Sequence, residues 1–72
     1  MDTSSKIKAL LQMKGIKQTE LIPLLGLSSP QALTNKFRRN AWSVDDLVKV
    51  CEFLECTVFI ETAEGDRIVM QD

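Results

Sequence analysis

Seventy-two residues with a formal net charge of -1, 44% of them hydrophobic and none histidine, leave room for one small core and hardly for an enzyme cleft with its supporting shell. A chain this short buries only ~60% of the surface its unfolded form exposes, so a partner chain that covers more apolar surface is expected. The polar start Met1-Asp2-Thr3-Ser4-Ser5 lacks a signal-peptide core. No apolar run approaches the ~20 residues that span a bilayer, and Cys51 and Cys56 are too few for a disulfide framework. The expectation is one soluble, cytoplasmic domain over residues 1–72 with no membrane partner.

Ser4 and Ser5 offer N-caps for a first helix, and Ile7, Leu10 and Leu11 recur at the spacing of one helical face. Gly15 suits a helix C-terminus and Ile16 folds back over the last turn, which predicts helix 1 over about Ser5 to Lys14. Gln18 to Gly26 reads as a short second helix. Pro23 lies beyond its first turn and removes one backbone hydrogen bond, so this helix should be short or irregular near its start. Ser29 as a cap and Pro30 at the first helical position open a third helix that runs to about Arg38 or Arg39.

A fourth helix opens at Ser43, which with Asp46 three residues on resembles a capping box, and Asp45 and Asp46 suit the positive end of the helix dipole. Val44, Leu47, Val48, Cys51 and Leu54 line one face, and Val50 and Phe53 extend the arc to a second side. That is more apolar surface than a three-helix core needs. From Cys56 the period changes. Two runs, Cys56 to Glu61 and Arg67 to Met70, flank a glycine-containing turn and read as a β-hairpin. A lone hairpin is marginal in water, so it should pack on Val50 and Phe53, pair with its symmetry mate, or do both. The fold expected is mainly α: four helices over about 5–54, then a hairpin over about 56–70.

Charge is unevenly spread. Residues 1–40 carry a net +5 and residues 41–72 a net -6, and such asymmetry points to a polyanion on the basic half. At about 100° per residue, Leu33 and Phe37 mark the buried face of helix 3, while Arg38, Gln31 and Asn35 fall about 140–200° away, directly opposite. Thr34 and Arg39 flank that outward set, and Lys36 sits to the side near Ala32. Glutamine or asparagine pairs bidentately with adenine and arginine with guanine, and helix 3 contains no acidic residue.

A short helix, a turn with glycine, then a polar helix turned outward is a helix-turn-helix. Lys6 to Leu54 resembles the Cro/phage-repressor (XRE-type) DNA-binding family. The resemblance rests on Ile7-Lys8-Ala9-Leu10-Leu11, Gly15-Ile16-Lys17-Gln18-Thr19-Glu20-Leu21, Gly26-Leu27-Ser28, Gln31-Ala32-Leu33-Thr34-Asn35-Lys36-Phe37 and Asp46-Leu47-Val48-Lys49-Val50. It implies that Gln18 contacts a phosphate with Lys17 and Thr19 close by. It also implies that Gln31, Thr34 and Asn35 enter the major groove of double-stranded DNA, and that Arg38, Arg39 and Asn40 grip backbone or base edges, with Lys36 beside them. Ile22 departs from the small residue usual at its position, Pro23 interrupts helix 2, and the Gly26-to-Gln31 connection is one residue longer than the commonest form.

The primary expectation is a sequence-specific DNA-binding repressor. Its homodimer contact falls on the hairpin and the end of helix 4, at Phe53, Val58, Phe59, Ile60, Ile68 and Met70. Two rivals stand beside it: an antitoxin whose acidic half holds a toxin protein, and a protein-interaction adaptor that has lost DNA binding. Trp42, between helices 3 and 4, reads as core. With no histidine, and with Cys51 and Cys56 five residues apart, no zinc site is expected. No cofactor is expected, and no nucleophile-base pair or glycine-rich phosphate loop points to an enzyme.

Overall fold

A computed structural model describes residues 2–71 and orders them as four α-helices and a hairpin. Helix α1 spans Thr3–Lys14 and is capped by Asp2, whose side chain accepts from the Ser5 amide. It therefore begins two residues earlier than the serines predict. Ser4 is buried instead, and works as a tertiary polar contact.

Helix 2 is split. Gln18–Glu20 form a 3-10 turn, and α2 proper covers Leu21–Leu24. Pro23 is thereby the third residue of α2, where its missing amide would have lain in the unpaired first turn of a fresh helix. The irregularity expected from Pro23 is this tighter turn, placed before it. Helix α3, Pro30–Arg39, starts on Ser29, whose hydroxyl accepts from the Ala32 amide. Helix α4, Val44–Phe53, carries the Ser43–Asp46 capping box.

All four helices stop in the same way. In each, the residue with positive φ and its successor donate back to carbonyls of the last turn, a closure that satisfies carbonyls otherwise orphaned. The pairs are Gly15 with Ile16, Gly26 with Leu27, Asn40 with Ala41 and Glu55 with Cys56. Glycine meets the left-handed geometry twice, whereas Asn40 (φ 53) and Glu55 (φ 58) meet it with a Cβ present.

The core gathers one stripe from each helix: Ile7 and Leu11 of α1, Leu21 of α2, Leu33 and Phe37 of α3, and Val50 and Leu54 of α4. This corrects the reading of helix 4. Its inward face is Leu47, Val50, Cys51 and Leu54, at successive three- and four-residue steps, and Val50 is wholly buried within the helical core. Val44 is exposed, and Val48 is half-buried. The hairpin is not needed to cover Val50.

Strands β1 (Phe59–Glu61) and β2 (Arg67–Val69) pair antiparallel, with Ile60 opposite Ile68. The ladder continues at its open end, where Met70 donates to the Val58 carbonyl. There the Gln71 amide accepts from the Val58 amide at 2.6 Å and donates to the Cys56 carbonyl at 3.1 Å. Every strand residue is exposed. In a molecule 42 × 22 × 21 Å, Phe53 (41%), Phe59 (43%), Ile60 (55%), Ile68 (63%) and Met70 (36%) remain accessible. Val58 is half-buried.

Candidate nucleic-acid interface

The amphipathic division of α3 is the source of the site. Leu33 and Phe37 plug into the core, so the opposite side of the helix must face solvent. Gln31, Thr34, Arg38 and Arg39 are exposed there, and Asn35 is half-buried. The Thr34 hydroxyl donates to the Pro30 carbonyl at 3.2 Å. Arg38 donates through Nη2 to the Asn35 Oδ1 at 3.1 Å. This side-chain pair is one helical turn apart, so the guanidinium is held against the asparagine and Asn35 keeps its amide donors free. Arg38 and Arg39 also sit at the negative end of the α3 dipole, which favours their charge there.

Two of the residues expected on this face are engaged inside the protein. Lys36 turns toward α4: its ammonium lies 2.7 Å from the Asp46 carboxylate, donates to the Ala41 carbonyl at 2.8 Å and sits 5.2 Å from the centre of the Trp42 ring. Partial burial would raise the Asp46 pKa, but the hydrogen bonds from Lys36 and from the Ser43 amide outweigh it and hold the carboxyl below its ordinary range. Asn40 caps α3 and accepts the Ser4 amide on its Oδ1 at 2.8 Å.

The same corner holds Ser4, which sequence reasoning treated as a helix cap. Its hydroxyl donates to the Phe37 carbonyl at 2.7 Å and accepts from the Trp42 indole N–H at 2.9 Å. The Trp42 ring meets Phe37 edge-on, 5.0 Å between centres, which fits the core role expected of it. Ser4, Asn40, Trp42, Lys36 and Asp46 thus clasp the C-terminal end of α3 between α1 and α4.

Lys17, Gln18 and Thr19 are exposed at the start of the 3-10 turn. A cleft of about 260 Å³ connects this turn with α3, lined by Lys8, Gln18, Leu33, Thr34, Phe37 and Arg38. Lys8 is not among the site residues that the sequence singles out. Its ammonium stands 5.2 Å above the Phe37 ring. The only signal for it was its place in the basic half of the chain, because its neighbours come from elements 10 to 30 residues away. Among the described residues no group of histidine, cysteine, aspartate and glutamate is arranged to hold a metal ion.

A helical domain that turns a polar, carboxylate-free helix to solvent beside a second, shorter helix is a helix-turn-helix unit of the DNA-binding class. The family comparison agrees. The model for the Cro/C1-type HTH DNA-binding domain matches residues 6–59, and the chain belongs to that family. The match extends past α4 to the first residue of β1. Neither the search of curated proteins nor that of solved structures returned a match. No helix among the described residues is long and apolar enough to cross a membrane.

Proposed function

We propose that residues 1–72 act as one domain, a sequence-specific transcriptional repressor that binds double-stranded DNA as a homodimer. The observation that carries this reading is the exposed face of α3, where Gln31, Thr34, Asn35, Arg38 and Arg39 lie together without a carboxylate. In the major groove Gln31, Thr34 and Asn35 read base edges, while Arg38 and Arg39 reach guanine or backbone. Lys17, Gln18 and Thr19 meet phosphates and fix the register. Lys36 and Asn40 serve this interface from behind, as positioning residues that hold the end of α3.

The dimer contact falls on the hairpin and the end of α4, through Phe53, Val58, Phe59, Ile60, Ile68 and Met70. The exposure of all of these but the half-buried Val58 supports this, since a chain of this size cannot easily leave so much apolar surface wet. Two copies related by a dyad would read half-sites about one helical turn apart.

Fluorescence anisotropy on a mixed-sequence duplex, titrated with salt, tests the reading. Non-specific binding in the ~10⁻⁴–10⁻⁶ M range at physiological salt, weakening steeply as salt rises, is expected. On a selected operator, Gln31→Ala and Asn35→Ala should relax discrimination at particular base pairs, by about 1–3 kcal/mol each. No binding at low salt would mean that the net -6 of residues 41–72 prevails, and would favour a protein partner such as a toxin.

A further inference from the structure

We infer that the cleft between α1, the 3-10 turn and α3 is a subsite for a single DNA backbone phosphate, with Lys8 as its principal cation. This rests on the DNA-binding reading and adds to it a residue on α1. Three elements that are distant in sequence converge on the cleft, and the polar groups they bring are one ammonium, one guanidinium, one carboxamide and one hydroxyl, from Lys8, Arg38, Gln18 and Thr34. Thr34 is committed to the Pro30 carbonyl. The remaining three are donors.

No carboxylate lines the cleft. Among the described residues the ion pairs within 4 Å are Lys36–Asp46 and Arg67–Glu61, so neither Lys8 nor Arg38 is neutralised by a salt bridge. Both cations are also restrained. Lys8 rests over the Phe37 ring at 5.2 Å, and Arg38 is tied to Asn35 at 3.1 Å. Two oriented charges and a carboxamide around a pocket of about 260 Å³ suit a tetrahedral anion, which accepts several charge-assisted hydrogen bonds at once. The floor of the pocket is Leu33 and Phe37, the buried face of the recognition helix. A phosphate seated there would fix the depth at which α3 enters the groove.

The test compares Lys8→Gln with Lys6→Gln, which removes the same charge from the same helix outside the cleft. Both are titrated on two duplexes of unrelated sequence, and circular dichroism confirms that each is folded. The salt slope of Lys8→Gln should fall by about 0.9 per protomer, the value for one phosphate, and Lys8→Arg should restore it. The loss should be equal across duplex sequences, and Lys6→Gln should leave the slope unchanged. A slope unaltered in Lys8→Gln, or lowered equally in Lys6→Gln, overturns the subsite while leaving DNA binding intact. Absence of salt-dependent binding by the unmodified protein overturns both.

Discussion

Ser4→Ala probes the clasp that holds α3, and its cost can be worked from the contacts. Removing the hydroxyl takes one donor from the Phe37 carbonyl, which keeps the Asn40 amide at 3.3 Å. The lost bond is therefore worth about 1 kcal/mol. The Trp42 indole N–H loses its hydrogen-bond partner in a half-buried setting, which adds about 1–2 kcal/mol. Alanine returns about 0.5 kcal/mol through its better helix propensity. The net is about 1.5–2.5 kcal/mol, or a melting temperature lower by roughly 6–20 °C in a domain of this size. Urea unfolding followed by Trp42, the single tryptophan, measures it directly, since the fluorophore sits in the clasp. A double-mutant cycle with Trp42→Phe, read by circular dichroism, should show coupling of about 1 kcal/mol. A Ser4→Ala protein within 0.5 kcal/mol of the parent, or a cycle without coupling, would refute the clasp.

Three further perturbations follow from the same contacts. Asp46 has its carboxyl pKa lowered by Lys36 and Ser43 against the cost of burial. The stability it contributes is thus full above the ordinary carboxylate range and is lost as pH falls through the lowered value. Asp46→Asn should flatten that acid limb in urea titrations from pH 6 to 2, and an unchanged limb would count against the Lys36–Asp46 contact. Glu55 holds a left-handed backbone at φ 58, so Glu55→Gly should raise stability by about 0.5–1 kcal/mol, relief of the Cβ strain exceeding the entropy cost; destabilisation in thermal melts would say that the geometry is unstrained. Burial, and then the neighbouring Cys56, push the Cys51 thiol up. Native protein should therefore alkylate slowly there at neutral pH and quickly in urea, and equal rates would contradict its burial.

Much of the helical part was legible because its signals are local. Ser29-Pro30 and Ser43 with Asp46 mark helix starts by capping chemistry that depends on three or four neighbouring residues, and both starts lie where that chemistry puts them. The buried Leu33 and Phe37, and the polar side opposite them, follow from helical periodicity alone. What periodicity missed is tertiary. Lys36 reads as a side-facing cation, and only the approach of α4 turns it to Asp46 and Ala41. Ser4 reads as a cap because serine at a helix start commonly caps. That Asp2 takes the role and frees Ser4 for Phe37 and Trp42 depends on contacts more than 30 residues away. Val50 reads as part of a second side because Val44, Leu47, Val48, Cys51 and Leu54 already complete an apolar face without it. Packing against α2 and into the shared core, not composition, chose among them.

Backbone amide shifts recorded by NMR while a short mixed-sequence duplex is added at low salt test the central claim most directly. The account predicts movement concentrated at residues 17–19 and 31–39 and around Lys8, with the strand amides at 59–61 and 67–69 nearly still. Shifts confined to the hairpin, or none at all at low salt, would contradict a DNA interface built on α3.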